Sequence, residues 1–386
     1  MPSDNEFTPL EDALTRAGRE RAYPPTPHIA ARVRATLQAE PSRPSILAPR
    51  RFGLLAGFAS AAAVLLLAAV GTIIVRDQLA ATASPPRGKA YIANLLGGDL
   101  SVIALQNDSV ERSIAVGKNP WGLAISPDGR RVYSAVDEGV AVVDTARGQR
   151  VDFVPTGFTL AKLGLSADGR TLLVSSPGGQ MKLIDLPTQG TLDEFTLGIN
   201  PYDIKVEPTG RFAYVLGHGD GSLAVVDVRA GKVIDRLLSG ASYTAYFMTL
   251  SPDGLWLYVP RLGNGELWAI DTRTNVVRRI ALERKPYWEG TPERGLVVSP
   301  DGLRLYIATQ GDTTGGVSVL DTQNFNEVAR VNLGGGFFGA ALSPDGTQLL
   351  LTDPDGNTLT ILSADTLKLI TSVHVGSSPF RVVAGP

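Results

Sequence analysis

Ser126-Pro127-Asp128-Gly129-Arg130-Arg131-Val132-Tyr133-Ser134 is the stretch on which the fold depends. Pro presets φ for the first turn position, Asp hydrogen-bonds nearby backbone, and Gly accepts positive φ. The β-branched and aromatic run that follows suits a strand. The motif returns as Ser166-Ala167-Asp168-Gly169, Glu207-Pro208-Thr209-Gly210, Ser251-Pro252-Asp253-Gly254, Ser299-Pro300-Asp301-Gly302 and Ser343-Pro344-Asp345-Gly346. Successive glycines lie 40, 41, 44, 48 and 44 apart, and a degenerate copy, Pro86-Arg87-Gly88, lies 41 before the first. A period near 40 residues is the mark of a repeat architecture.

Working outward, each repeat holds four short strands. An apolar strand precedes the turn, as in Gly122-Leu123-Ala124-Ile125 or Gly339-Ala340-Ala341-Leu342. A second follows it, as in Phe212-Ala213-Tyr214-Val215. A Gly/Asp/Asn loop leads to a third that ends near an Asp, as in Val140-Ala141-Val142-Val143-Asp144, and a fourth follows, as in Glu327-Val328-Ala329-Arg330-Val331. Four antiparallel strands per 40–48 residues is the period of a propeller blade. The fold class expected is therefore all-β, a seven-bladed β-propeller over residues 88–386. Its first repeat has only three strands (Ala90–Ala93, Leu100–Ala104, Glu111–Val116), and a lone inner-type strand, Phe380–Val383, comes last. That last strand is expected to complete the first blade and remove an open edge.

These repeats resemble the YVTN-type, YncE-like bacterial β-propeller family. The resemblance rests on the turn motif with its Tyr-Val-like strand, and on Tyr91-Ile92-Ala93-Asn94 and Ile114-Ala115-Val116-Gly117-Lys118-Asn119-Pro120. It implies extracytoplasmic binding or envelope roles more often than catalysis. A propeller architecture by itself does not fix a function.

Upstream, Phe52 to Val75 reads FGLLAGFASAAAVLLLAAVGTIIV, without a charge. That length spans a hydrocarbon core of about 30 Å as a helix. A buried core helix would not need so long an uncharged run. Ala81-Thr82-Ala83 resembles a signal-peptidase site, but the long preceding segment and the length of the run favour a retained signal-anchor over a cleaved signal. Five Arg lie in residues 32–51, against Arg76, Arg87 and Lys89 in 76–95. This bias directs the N-terminus inside and the propeller outside a bacterial cytoplasmic membrane.

Residues 1–51 suit two short helices, about Pro9 to Arg21 and Thr26 to Gln38, separated by Pro24, Pro25 and Pro27. Two readings of this segment stand: a cytoplasmic tail, or a docking segment for a cytoplasmic partner. The layout looks like that of membrane anti-sigma factors, without the zinc-binding His and Cys pattern of many of them. Residues 76–87, with Pro85 and Pro86, read as a tether.

Composition narrows the chemistry. The 386 residues carry a net charge of −2 and no Cys. Thiolate metal sites, iron–sulfur clusters, disulfides and a Cys nucleophile are excluded. His28, His218 and His374 are far apart in sequence. Beyond residue 77 acidic residues outnumber basic ones by four, which disfavours nucleic acid or anionic lipid as the main ligand. No nucleophile-elbow, zincin or phosphate-loop motif occurs. No catalytic residue, cofactor or metal site is expected. His218 is a general base by residue type alone and suits a solvated loop. Asp353-Pro354-Asp355-Gly356-Asn357 reads as a hairpin turn, since the later Glu of a calcium loop is missing. Asp144, Asp185, Asp227, Asp271 and Asp321 recur at equivalent positions, which points to turn hydrogen bonding.

The loops entering the inner strands gather round one mouth of a propeller channel. Every repeat offers an aromatic there: Trp121, Phe158, Tyr202, Tyr243, Tyr287 with Trp288, Phe337 with Phe338, and Phe380. These rings either pack between blades or plug the channel, or they form a recognition face, since Tyr, Trp and Phe are favoured at interface cores. The long segment Glu283–Arg294 departs most from the repeat and lies in the same set of loops. The sequence thus leads to a membrane-anchored, non-catalytic module that binds a protein or small molecule at the propeller mouth. A transmembrane regulator signalling through residues 1–51 and a lactonase-like or quinoprotein-like enzyme are the alternatives.

Overall fold

The computed structural model describes residues 88–386, apart from 161, 219–220, 239–244, 246, 262–265, 282–292 and 310–314. The segments 1–51, 52–75 and 76–87 lie outside the described residues. Among the described residues no helix is long and apolar enough to cross a membrane.

The turn motif organises each blade as its chemistry requires. In the second blade the Gly129 amide donates to the Ser126 carbonyl at 2.8 Å, with Gly129 at φ +68°. The Ser126 hydroxyl donates to Asp128 Oδ1 at 2.6 Å and accepts from the Arg131 amide at 2.9 Å. Asp128 Oδ1 also accepts from the Arg130 amide at 3.0 Å. The same bonds recur at Ser166, Ser251 and Ser343. At the fourth blade Glu207 replaces the Ser, and its Oε1 takes the Arg211 and Phe212 amides directly. The Asp that ends the third strand of five blades also caps turns: Asp144 accepts from the Arg147 amide, Asp227 from Ala230 and Asp321 from Gln323, each at 2.8 Å.

Strands follow these turns in seven four-stranded antiparallel sheets. Blades II to VII run in chain order from inner to outer strand, with inner strands Gly122–Ile125, Lys162–Leu165, Pro201–Val206, Thr249–Leu250, Glu293–Val298 and Ala340–Leu342. Blade I takes Pro379–Gly385 as its inner strand, then Lys89–Asn94, Asp99–Ala104 and Ser109–Ala115. Ala90 pairs with Ala384 and Tyr91 with Val383, so the last strand closes the first blade as expected.

Both faces of the middle strands are covered, which is why they read as continuous apolar runs and not as alternation. Val132 to Val136 and Val140 to Val143 are buried throughout. The core is divided into seven apolar layers, one between each pair of neighbouring blades. Buried tyrosines pin blade to blade: Tyr214 Oη donates to the Thr272 carbonyl at 3.1 Å and Tyr306 Oη to that of Ala364 at 3.0 Å.

Candidate functional site in the central channel

Two sets of loops share one face of the propeller. The Asp137 amide bonds the Lys118 carbonyl at 3.1 Å, His218 bonds Asn200 at 2.7 Å, and Leu95 bonds Ser378 at 2.8 Å. Each pair joins the loop entering an inner strand to the loop between the second and third strands. The turn motifs lie at the opposite face, where the Thr145 amide bonds the Arg130 carbonyl at 3.0 Å. The inner strands run from the first face to the second.

Counting back from the turn motif places their residues in tiers. Five residues before the motif stand Trp121, Tyr202 and Phe338, with Phe380 equivalent in blade I. One residue further on stand Arg381, Gly122, Lys162, Asp203, Phe247, Gly295 and Gly339. Gly295 and Gly339 cannot widen: a Cβ would lie 2.7 Å from Ala340 Cβ and 2.6 Å from the Phe380 carbonyl oxygen.

The first tier forms a linked circuit with parts of the second. Trp121 meets Phe380 edge-on, with centroids 5.5 Å apart. Phe380 lies against Phe338 at 3.9 Å, Phe338 meets Phe247 edge-on at 5.3 Å, and Phe247 meets Tyr202 edge-on at 6.5 Å. Lys162 closes the circuit, with Nζ 4.5 Å from the Tyr202 centroid and 5.3 Å from that of Trp121. Rings at these separations prefer edge-to-face geometry, and a cation over a ring face is attracted by its quadrupole. Outside the circuit, exposed His218 stacks on Tyr202 at 5.1 Å.

The second tier carries the charge. Asp203 is 4% exposed and Lys162 8%. Asp203 Oδ1 accepts from Arg381 Nη2 at 3.0 Å, across the channel from blade I. Its Oδ2 accepts from the Met248 amide at 3.1 Å and pairs with Lys205 Nζ at 3.5 Å. Burial pushes the Asp203 carboxyl up, but Lys205, Arg381 and the Met248 amide outweigh it and hold it below the usual carboxylate range. Lys162 is in the opposite position. Burial, with Arg381 adding repulsion, lowers it to about 7 against the pull of Asp203. Arg381 also lies 4.2 Å over Phe247.

A cavity of about 230 Å³ runs beside these charges, lined by Gly122–Ile125, Lys162–Leu165, Asp203–Val206 and Arg381. A smaller one of about 90 Å³ shares Leu123, Lys205 and Arg381 with it. Among the described residues no three His, Cys, Asp or Glu side chains group to hold a metal ion.

Of the aromatics picked out in the sequence, the structure brings together Trp121, Tyr202, Phe338 and Phe380. Phe337, 3% exposed, turns instead into the apolar layer between blades VI and VII. Phe158 is half-buried against the layer between blades II and III, with Lys182 Nζ 5.3 Å over its ring. Tyr243, Tyr287 and Trp288 lie outside the described residues. Sequence reasoning missed Phe247 and the charged set Lys162, Asp203, Lys205 and Arg381. For Lys162, Asp203 and Arg381 the signal was a charged side chain at a tier that holds Gly in three other blades; Lys205, two residues further on, and Phe247 had no such signal.

Comparison with solved structures places the fold in known company. Hydrazine synthase of Kuenenia stuttgartiensis matches with 22% identity and a TM-score of 0.64, over 72% of this chain and 93% of that one. A protein of unknown function from Desulfotomaculum acetoxidans matches with 14% identity and a TM-score of 0.65, over 77% and 98%. A provisionally assigned 6-phosphogluconolactonase from Bacteroides fragilis matches with 15% identity and a TM-score of 0.63, over 78% and 99%. The chain shares their propeller fold. No family model and no curated relative matches it.

Proposed function

We propose that this chain is a membrane-anchored β-propeller of the YVTN type that works as a non-catalytic binding module. In this reading residues 52–75 hold it in the cytoplasmic membrane, the propeller faces outward, and residues 1–51 remain inside. The ligand, a protein segment or a small molecule, docks at the channel mouth. One observation carries the reading: an aromatic circuit drawn from five blades and closed by Lys162 stands beside the carboxylate of Asp203, which meets Arg381 and Lys205. Buried aromatic clusters beside unspent charge are what binding sites use for anchoring and orientation.

The test is site-specific photocrosslinking in intact cells. A photoreactive phenylalanine analogue at Trp121 or Phe380 is expected to give discrete adducts, and the same probe at Thr145 on the opposite face none. Equal labelling of both faces, or none at the mouth, sinks the reading. Topology is checked separately, with a tag at each terminus and protease applied to intact cells. Loss of the C-terminal tag alone is expected; protection of that tag until lysis reverses the orientation.

A further inference from the structure

The charges in the channel do not balance. Lys162, Lys205 and Arg381 face one carboxylate, Asp203, and that carboxylate is already committed to Arg381, Lys205 and the Met248 amide. Lys162 is left with two ring faces. No described residue accepts a hydrogen bond from its ammonium, which has three donors to place. A largely buried cation held by ring faces alone leaves its donors to whatever enters the cavity beside it.

The space beside it says what is missing. The 230 Å³ cavity, at about 30 Å³ per water in the liquid, has room for about seven or eight non-hydrogen atoms. The inner strands present to it the backbone edge that no fifth strand pairs, so its wall offers amide donors and carbonyl acceptors beside the cations. Lys205 stands two residues beyond Asp203, about 6.6 Å further down the strand. Its ammonium nonetheless folds back to Asp203, so that Lys205 Nζ and Arg381 Nη2 lie 3.5 Å and 3.0 Å from the two oxygens of that carboxylate and the cationic ends converge there.

We propose that this cavity binds a small dicarboxylate of about four carbons, held by the cluster of Lys162, Lys205 and Arg381 around Asp203. Three cations against Asp203 leave two positive charges, which a dianion neutralises. A single phosphate group has five non-hydrogen atoms and would leave room for about two or three more. The inference rests on the reading above in one respect, that the channel is where ligand binds.

Proton uptake is its signature. The groups facing Lys162 are Asp203, Lys205 and Tyr202 from blade IV and Arg381 from blade I, with His218 beyond Tyr202; blade II presents Trp121 and Gly122. With Lys162 titrating near 7, it is mostly neutral at about pH 8 in the free protein and takes a proton when a dianion arrives.

The experiment is isothermal titration of the full-length chain with succinate, at about pH 8, in two buffers of different ionisation heat. Saturable binding with uptake approaching one proton is expected, tightening about fivefold between pH 8 and pH 7. Lys162→Met keeps the ring packing, removes the unpaired cation, and is expected to unfold no earlier than wild type. It abolishes proton uptake and weakens succinate at least about tenfold. Lys205→Met weakens binding but keeps the proton uptake. No saturable binding at millimolar succinate, binding unchanged in Lys162→Met, absence of proton uptake, or inorganic phosphate binding as tightly as succinate overturns the assignment. Failure here with mouth crosslinking intact removes only the dicarboxylate; crosslinking lost with succinate still bound removes only the mouth reading.

Discussion

Asp203 holds the channel together by answering two cations at once. Removing it leaves Arg381, Lys205 and Lys162 facing one another in a buried site. Asp203→Ala is therefore expected to cost about 3–5 kcal/mol in urea unfolding. Lys162 gives a second, oppositely directed effect. Its value falls to about 7 in the fold, from about 10.4 in a free chain. Between those values the unfolded chain binds more protons, so this residue makes stability rise with pH over that window. Lys162→Met should remove that rise in the urea midpoint; an unchanged slope would mean that another group sets it. The turn aspartates behave in the acid range. Hydrogen bonds from Ser hydroxyls, then from backbone amides, hold Asp128, Asp168, Asp253 and Asp301 below the ordinary carboxyl value. Their contribution is complete above about pH 4 and is lost as pH falls through the lower folded values. Thermal unfolding should accordingly show midpoints that drop steeply below about pH 4. The turns were legible because their chemistry is local and repeated. The channel charges were not, because a charged tier in a closed ring is built from one residue per blade, each lost among unlike neighbours in sequence. Phe247 was hidden in a different way: Tyr243 lies earlier in the same loop, and residue type alone cannot say which ring turns inward.

The strands show how a closed ring manages its edges. Only the outer strand of each blade faces solvent, and six of the seven carry a register shift against the third strand. In blades II, III, IV, VI and VII the extra residue is apolar and exposed: Val151, Leu192, Ile234, Val328 and Ile370. A bulge twists an edge away from pairing, which lets these aliphatic residues stand on it without inviting a neighbouring chain. The inner edge of Lys89–Asn94 in blade I is covered by Pro379–Gly385, in a pairing that itself shifts register at Phe380. Truncation after Ser378 exposes the unpaired groups of Lys89–Asn94 and removes Arg381 from Asp203. Such a chain is expected to associate in light scattering and to lose its sharp unfolding transition; a monomer with wild-type cooperativity would show that closure contributes little. The sequence predicted this pairing because the first repeat is one strand short and the last strand is of the inner type.

Across the whole molecule no blade owns a core. Each sheet shares its two faces with its two neighbours, so the apolar layers form a circuit without a centre. A ring of that kind is expected to unfold as one unit. Tryptophan fluorescence, from Trp121 in blade II and Trp256 and Trp268 in blade V, should therefore coincide with circular dichroism across a urea titration. Separated transitions would mean that the ring opens in sectors. The acidic balance beyond residue 77 gives no sign that Lys162, Lys205 and Arg381 gather round Asp203 in the channel; only the fold brings them together. The borrowed strand of blade I has a consequence for how the molecule is made. The first blade is the first to be synthesised, yet its inner strand, Pro379–Gly385, is made only after the other six blades. Those six can each pair four consecutive strands, while the blade begun before them waits with its edge open. The growing protein is therefore exposed longest to unwanted strand pairing at the blade it started with.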